Sequence, residues 1–409
     1  MKKIVFLSTL PLLLFAGNLG ALLDLAQNNQ HVDASRFALE ASKDKESSIK
    51  SGYLPSLSIG AARAYNEKEN LTTPQNATSG QAVLSFTLYD GGKREALIDA
   101  QSSLVKSATY TLESTKNSVA LNVVYAYYTY LSTKASYEAL LQKMEQLQAE
   151  RYRLEKFLSV GSATGDEVQK IVSSIEQTNV ELLNLQNSLA NTLNTLEYLT
   201  GTKSQVEEGS KILLEGKAEA SKRFDLLAME QNVESMKHQA SAAKAPNLPT
   251  IKIEDTYTRY DYAYDNKAYD LSDTNHQNTI ALSVQWKIFD FGSTSSAYES
   301  AQKEYLSKNS ELAYEQSKAS ASLKSAQNSY KSAVAKIEAA KARLEASTMT
   351  YELVKKKFQQ GIVNNVTYLD ALSDKYNATS ALQSALYDVE YQKAVVLHEM
   401  GKEIKGAIQ

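Results

Sequence analysis

The residue types that most often carry catalysis or bind metals are scattered along this chain. Its histidines are His31, His238, His276 and His398, all far apart in sequence, and it contains no cysteine. A zinc-type site needs a close set of Cys and His ligands, and no nucleophile stands with a base and an acid in a recognisable arrangement. We therefore expect no enzyme activity, no metal site and no cofactor, and function must be sought in the elements that organise the chain.

One alternating stretch stands out, at residues 278–292, which read NTIALSVQWKIFDFG. Every second position is apolar, while the intervening positions carry Thr, Ala, Ser, Gln and Lys. The apolar residues are Ile280, Leu282, Val284, Trp286 and Ile288. This period of two predicts a strand with one apolar face. Its length matches the roughly 9–11 residues of a transmembrane β-strand, so we expect the apolar face to contact lipid.

The same pattern occurs earlier, at residues 82–97, where AVLSFTLYDGGKREAL places Leu84, Phe86 and Leu88 on one face. Several turn residues recur after one period of about 200 residues, and a fixed repeat of this kind indicates an internal duplication. The pairs are Asp90 and Asp290, Gly92 and Gly292, and Gly161 and Gly361. Upstream, YLPSLSIG at 53–60 reappears as NLPTIKIE at 247–254. We predict one repeat over residues 22–210 and a second over residues 211–409.

Residues 1–21 have the layout of a secretory signal peptide, with Lys2 and Lys3 before a short apolar run and small residues at its end. Cleavage is expected anywhere from Ala16 to Ala21. The absence of cysteine means that the mature chain has no disulfide and no thiol for a lipid anchor. A net charge of −3 gives no basic footprint for nucleic acid, and no run reaches the roughly 18 apolar residues of a membrane helix.

Helical spacing of apolar residues predicts long helices between these strands. We expect helices over residues 22–52, 93–160, 224–245 and 293–360, a helix that follows 161–165 with Asp166 as its N-cap, and a returning helix that ends near 400. Strict spacing of seven predicts coiled-coil seams. The first seam is Val168, Ile175, Leu182, Leu189 and Leu196, and the second is Leu323, Tyr330, Ile337, Leu344, Tyr351 and Phe358. Strands are expected at about 54–66, 81–90, 250–264 and 278–290, with polar loops over 67–80 and 265–278 and a mixed segment over 201–223.

Four strands of this length cannot close a barrel by themselves. An open sheet edge in hydrocarbon leaves backbone groups unpaired at a cost of several kcal/mol each. Three copies would supply twelve strands, with the apolar faces toward lipid and the polar faces around a wet lumen. The pattern therefore predicts a homotrimer in which long helices continue from the barrel.

These motifs, in this order, resemble the bacterial outer membrane efflux protein family, the TolC-like channels. The resemblance rests on LSFTLYDGGKREA and LSVQWKIFDFGSTSSA at the strand-to-helix turns and on VGSATGDEV and QGIVNNVTYLDAL at the helix-to-helix turns. It implies a mainly α fold with membrane β-structure: a homotrimeric, twelve-stranded barrel in the outer membrane of a Gram-negative bacterium, continued by a twelve-helix coiled-coil α-barrel in the periplasm. A girdle would form near the mid-chain segment and the C-terminus.

The resemblance also implies partners and sites. The partners would be a periplasmic adaptor protein and an inner membrane pump, in a tripartite efflux system for drugs and small molecules or a type I system that secretes a polypeptide. The implied candidates for a periplasmic gate are Asp166, Glu167, Phe358, Thr367 and Asp370, with Val363 at a position where relatives carry a linking arginine. The implied adaptor contacts at the helix tips are Gly161, Gly165 and Gly361.

Simpler interpretations exist for each of these residues. Asp370 and Thr367 could belong to a solvated helix face, the glycines could be helix breakers only, and Trp286 could be an interface anchor or one more apolar strand residue. Two other classes of protein also fit part of the pattern. A secreted coiled-coil structural or adhesive protein would explain the heptads but not the paired strands, and a diffusion porin would explain the strands but not helices of roughly 100 Å.

Overall fold

A computed structural model describes residues 15–214, 221–266, 268 and 275–409 of the chain. The helices are α1 (Leu19–Ala26), α2 (Gln30–Gly52), α3 (Lys93–Ser159), α4 (Gly165–Thr200), α5 (Phe224–Lys244), α6 (Ser293–Gln359) and α7 (Asn365–Glu399). The strands are β1 (Phe15–Gly17), β2 (Ser56–Tyr65), β3 (Asn76–Tyr89), β4 (Ser204–Val206), β5 (Thr250–Ala263) and β6 (His276–Gln285). Short 3₁₀ turns follow at Ala245–Asn247 and Lys405–Ala407.

The chain divides into two compact units. Unit 1 contains residues 1–35, 112–224 and 316–409, and unit 2 contains residues 36–111 and 225–315. Unit 2 holds an antiparallel four-stranded sheet of order β2-β3-β5-β6, so that the hairpin of the first repeat lies beside the hairpin of the second. Unit 1 holds the small parallel pair β1-β4 and the packed turns of the helical hairpins.

The sheet departs from the predicted strand boundaries in two places. β3 begins at Asn76, inside the predicted loop 67–80, because its first residues pair with β5 as well as with β2. β6 ends at Gln285, so the predicted strand residues Trp286 and Ile288 lie beyond its last pair. The cause is that β6 is an edge strand, and β5, its partner, begins only at Thr250.

The predicted helix over residues 22–52 is two helices, which part at residues 27–29. Asn29 explains the break, because its side chain donates to the Leu199 carbonyl at 3.1 Å and accepts from the Val32 N–H at 2.9 Å, which caps α2. Helix α1 begins at Leu19, within the predicted signal peptide of residues 1–21, and Leu19 is fully buried. Residues 1–14 of that predicted segment lie outside the described residues.

The middle of the chain and its last residues pack together in unit 1. The Asn117 side chain donates to the Lys402 carbonyl at 3.0 Å and accepts from the Ile404 N–H at 3.1 Å, so its whole amide is paired. Ile212 and Ile408 form an antiparallel bridge. The predicted mixed segment over 201–223 is therefore held to the end of the chain on both sides of residues 215–220, at Ile212 and at Ser221, whose N–H donates to the Met400 carbonyl at 2.9 Å. Residues 215–220 lie outside the described part of the chain.

Helices α3 and α6 are the longest elements, with 67 residues each. At 1.5 Å per residue each is about 100 Å long. The absence of proline from residues 75–245 and 250–409 permits this length, because an internal proline would break the backbone ladder. Among the described residues, no helix has the length and apolar character that a membrane span requires.

Candidate functional site

Two helical hairpins, α3–α4 and α6–α7, end in turns of the same construction. Gly161 lies after α3 with φ of 74°, and the N–H of Ser162 donates to the Phe157 carbonyl at 2.8 Å. Gly361 lies after α6 with φ of 75°, and the N–H of Ile362 donates back in the same way at 2.9 Å. This is the Schellman motif, in which a glycine in the left-handed conformation closes a helix. The two glycines predicted at the tips thus have a conformational role.

The first turn leads into α4 through a capping box. Thr164 is the N-cap, because it is extended and accepts from the Glu167 N–H, while its own N–H donates to the Glu167 carboxylate at 2.9 Å. The prediction that Asp166 caps this helix is wrong. Asp166 lies in the first turn, exposed, with a carboxylate oxygen 2.6 Å from the Lys170 ammonium. Gly165 is the first helical residue and has no left-handed φ.

The second turn is capped without a carboxylate. The Asn364 side chain accepts from both the N–H and the hydroxyl of Thr367, each at 2.9 Å. Thr367 is exposed, and its hydroxyl is used to secure the cap. The two acidic residues that begin α4 have no acidic counterpart in the first turn of α7.

Behind the turns, all four helices contribute to one apolar core. Its buried members come from α3, α4, α6 and α7, and they include several residues of both predicted seams. They are Ala139, Met144, Leu147, Leu154, Val168, Ile171, Ile175, Tyr351, Phe358, Tyr368, Ala371, Leu372 and Tyr376. Val363 packs against this core as a partly buried residue. The core joins the hairpin of the first repeat to the hairpin of the second.

Phe358, predicted as a gate residue, lies inside this core. Only 8% of its surface is exposed, and its ring stacks on Tyr368 with centroids 4.7 Å apart. The guanidinium of Arg153 lies 4.9 Å from the Phe358 centroid, and its Nε donates to Glu150 at 2.9 Å. Burial raises the pKa of Tyr368 well above its usual range, the neighbouring Tyr351 adds to the rise, and Arg153 opposes it. Phe358 therefore supports the helix ends and does not face solvent in the chain.

Next to the turns, the side chain of Asn365 makes a direct polar link between the two hairpins. Asn365, the first residue of α7, is 2% exposed, and its Nδ2 donates to the Glu167 carbonyl at 2.9 Å. The Asn365 Oδ1 atom is buried without a hydrogen-bond partner. The backbone of Glu167, a predicted gate residue, is thus held by a residue that the sequence analysis did not single out.

The remaining gate candidate, Asp370, lies apart from this link. It is exposed, three residues beyond the exposed Thr367, whereas Tyr368 and Ala371 of the same helix point into the core. The structure therefore brings Glu167 toward the start of α7 and places Phe358 in the core. It leaves Asp166, Thr367 and Asp370 on the surface of the chain.

Three further residues of this region were missed from sequence: Glu150, Arg153 and Asn365. Spacing of three between Glu150 and Arg153 is the signal of a helical ion pair, but sequence does not say that Arg153 also covers a phenylalanine of another helix. Asn365 in a first helical turn would ordinarily be taken as part of a cap. Its contact with α4 depends on the packing of two hairpins.

The predicted membrane-facing residues lie in unit 2 and are exposed or partly exposed. In the second repeat, the exposed fraction of Val284 is 64% and that of Ile288 is 83%. Leu84 and Leu88 of the first repeat are also exposed, and Phe86 is partly so. Trp286 is 58% exposed, and its indole N–H donates to the Asn247 carbonyl at 3.0 Å. An apolar row of this size is unusual for a surface in water.

Comparison with known proteins identifies the class of this chain. The family model described as outer membrane efflux protein matches residues 22–202 and again residues 217–396. The chain therefore belongs to the outer membrane efflux protein family, which places it in the outer membrane as an efflux channel. The two matches fall in the two halves that the internal repeat defines.

Individual relatives agree with this assignment. The chain is similar to outer membrane protein TolC of Vibrio cholerae, with 20% identity over 400 residues that cover 93% of this chain and 90% of the relative. A membrane protein from Pseudomonas aeruginosa has a similar structure, with a TM-score of 0.84, 17% identity and coverage of 94% of this chain and 93% of the other. The CmeC outer membrane channel of Campylobacter jejuni has a TM-score of 0.82, 16% identity and coverage of 94% and 85%.

Proposed function

We propose that three copies of this chain form a channel, in which twelve strands close a barrel in the outer membrane and twelve helices form an α-barrel in the periplasm. The observation that carries this proposal is the open sheet of unit 2, which ends on β2 at one side and on β6 at the other. Unpaired edges are not stable in hydrocarbon, and antiparallel strands can be joined edge to edge until the sheet closes.

The exposed apolar row on the strands supports contact with lipid. Leu84, Phe86 and Leu88 in the first repeat and Ile280, Leu282, Val284, Trp286 and Ile288 in the second would face outward. The polar alternates would then face the lumen. A secreted structural or adhesive coiled coil does not require a sheet with an exposed apolar face. Family membership and this sheet together therefore favour the channel over that class of protein.

The helix turns of unit 1 are the proposed periplasmic gate. Asp370 is exposed on α7, so a threefold axis beside this helix would gather three carboxylates into a ring that attracts cations. Asp166, Glu167 and Thr367 lie in the adjoining first turns and would form its rim. Phe358 acts from the core, where it holds α7 in position through Tyr368.

The tips are the proposed contact with a periplasmic adaptor protein, which would connect the channel to an inner membrane pump. Gly161 and Gly361 allow tight turns that present apolar residues outward, and Gly165 begins the helix that follows the first of these turns. Next to them, Val160 is 72% exposed and Ile362 is 65% exposed. Family membership favours efflux of small molecules through this duct over type I secretion of a polypeptide.

Conductance of the purified protein in planar bilayers tests this function. We expect stepwise conductance that multivalent cations block, and we expect Asp370→Ala to weaken the block because the ring of carboxylates is lost. Glu311→Ala is the matched control, since it removes one carboxylate per chain from a surface ion pair with Lys308 on α6, far along that helix from the tip. Block that is unchanged in Asp370→Ala would remove this residue from the gate, and the absence of any conductance would contradict the channel.

A further inference from the structure

Among the described residues, the two outer strands of the sheet in unit 2 have no partner on their far sides. Every residue of β6 is exposed, and so is every residue of β2 but one. Each is one strand of a hairpin, and the hairpins belong to different repeats. The pairing between the two repeats within the chain can therefore be used to infer which strand lies beside each of these two edges.

The hairpins of the two repeats have the same register. In the first, the pairing runs from Ser56↔Ser85 to Tyr65↔Asn76. In the second, it runs from Thr250↔Gln285 to Arg259↔His276. A shift of 194 residues on the first strand and 200 on the second converts each pair of β2–β3 into a pair of β5–β6. The two hairpins are thus equivalent residue by residue.

The junction between the repeats is also visible within the chain, because β3 pairs with β5. Applying the same two shifts to that junction moves β3 to β6 and β5 back to β2, which can only be the β2 of a second copy. The internal pair Ser85↔Glu254 becomes Gln285 opposite Gly60, and Phe86↔Ile253 becomes Trp286 opposite Ile59.

We propose that β6 of one copy pairs antiparallel with β2 of a second copy in this register, with Gln285 opposite Gly60 of the second copy. The inference rests on the proposed trimeric channel and adds to it the residue-level interface between copies. The same register sets Trp286 opposite Ile59 and Val284 opposite Ala61 of the second copy.

The unequal lengths of equivalent strands support this pairing. β3 runs to Tyr89, but its equivalent β6 stops at Gln285. The pairs of β3 with β2 end at Ser85, and beyond it Phe86, Thr87 and Tyr89 are paired with β5 alone. Residues 286–289 are therefore the ones that need a neighbour on the far side. Pairing with a second copy supplies that neighbour and extends β6.

The alternation of side chains agrees with the same register. Trp286 and Ile59 both belong to the apolar rows, whereas Gln285 and Gly60 both belong to the opposite face of the sheet. A slip of one residue would set every apolar residue of β6 opposite a residue of the wrong face. The registers that keep the faces matched differ from one another by two residues. Of these, the equivalence with the β3–β5 pair selects the one that sets Gln285 opposite Gly60 of the second copy.

The equivalence does not extend into the turn after β6. Gly91 has φ of 75°, and a Cβ there would lie 2.6 Å from the Ala245 carbonyl oxygen, so this turn closes tightly on the next repeat. Its counterpart Phe291 has φ of 55° but carries a side chain that is 91% exposed. The turn at Phe291 must therefore leave more space beside a second copy than the turn at Gly91 leaves beside the second repeat. For this reason the cysteines of the test are placed on the strands and not in the turn.

Disulfide trapping tests the register directly, because the chain has no cysteine of its own. Opposed residues of antiparallel strands have Cβ atoms about 4.5–5.5 Å apart, close to disulfide geometry. The in-register variants are Gln285→Cys with Gly60→Cys and, on the other face, Val284→Cys with Ala61→Cys. The matched controls are Gln285→Cys with Ser58→Cys, Gln285→Cys with Ala62→Cys, and each single cysteine variant.

We expect mild oxidation of the full chain in membranes to convert the in-register variants into covalent dimers and trimers that disappear on reduction. The shifted pairs and single variants should remain monomeric on denaturing gels. The oligomeric state of each variant is first measured by light scattering under reducing conditions. If light scattering shows a trimer but only the shifted pairs form disulfides, or no pair does, the proposed register is wrong and the trimeric channel is unaffected. Reduced protein that is monomeric, including the parent, would instead overturn the proposed channel.

Discussion

The two repeats keep the same backbone but secure it with different side chains. Four left-handed positions of the first repeat, at residues 91, 92, 161 and 201, recur at 291, 292, 361 and 401. All are glycine except Phe291, which is the only non-glycine residue with positive φ in the described part of the chain. The comparison teaches that the turn geometry of the duplication is retained while the residues around each turn have diverged.

The strand-to-helix turns illustrate this divergence. Asp90 accepts from the N–H of Arg94, whose side chain donates to the Thr87 carbonyl and lies over the Tyr53 ring. Asp290 accepts from both the N–H and the hydroxyl of Thr294. The aspartate cap is common to both turns, whereas the residue that completes it is a long cation in one repeat and a short hydroxyl in the other.

The helix tips differ in a way that bears on gating. The first tip is closed by a carboxylate in its capping box and the second by an amide. Position 365 reaches across to the other hairpin, whereas its equivalent, Gly165, has no side chain with which to do so. At the tips, the hydrogen bond between the hairpins is therefore made by a side chain of the second repeat, without an equivalent in the first.

The largest expected effect on stability lies in the apolar core behind the helix turns. Tyr368 and Val168 occupy equivalent positions on α7 and α4, and both are buried. We expect Tyr368→Ala to cost about 4 kcal/mol and Val168→Ala about 2 kcal/mol, because the tyrosine leaves the larger cavity. Thermal unfolding followed by helix circular dichroism measures both, and equal losses would show that the two helices are not packed as described.

A second difference concerns the glycines that follow the returning helices. Gly401 has φ of 70°, and a Cβ there would lie 2.8 Å from the backbone of Lys222, whereas the space around Gly201 is open. Gly401→Ala should therefore cost about 3 kcal/mol, from strain and displacement of the 221–222 segment, and Gly201→Ala about 1 kcal/mol, from strain alone. Denaturant midpoints distinguish the two, and the reverse order would contradict the tight contact at Gly401.

A third comparison uses the first residues of α7 and α4. Asn365→Ala removes the hydrogen bond to the Glu167 carbonyl, and we expect a loss of about 1 kcal/mol together with a higher conductance of the resting channel. Gly165→Ala is the control, since this exposed helical position should gain roughly 0.5 kcal/mol and leave conductance unchanged. Asn365→Ala with parental conductance would separate this link from gating.

The smallest effect is expected at the ends of the returning helices, where buried Leu199 is equivalent to Glu399. His398, 3.6 Å from one Glu399 oxygen, and the Arg223 guanidinium, 2.6 Å from the other, lower the pKa of Glu399 below its ordinary 4.5. A lowered pKa contributes stability that is complete above 4.5 and is lost as pH falls through the folded value. We therefore expect Glu399→Gln to reduce the loss of stability at acid pH, measured as the free energy of unfolding over a series of pH values. If the variant loses the same free energy of unfolding at acid pH as the parent, the ion pair of Glu399 does not cause that loss.

The sequence predicts the elements better than their ends. Alternation and heptads locate the strands and long helices because they report local burial. They do not report which strand lies on each side, and so β3 begins earlier than predicted and β6 ends earlier. Thr164 is the N-cap where Asp166 was predicted, because the reciprocal bonds with Glu167 stabilise that start of the helix. The burial of Phe358 follows from a stack with a residue on another helix, which no local pattern reveals.

The central claim is that the open sheet of one chain is completed by two further copies. The mass of the detergent-extracted protein, measured by light scattering with the detergent contribution subtracted, tests it most directly. We predict a single species of three chains. A stable monomer or dimer would contradict the account, because neither four nor eight of these strands provides the twelve that the proposed barrel requires.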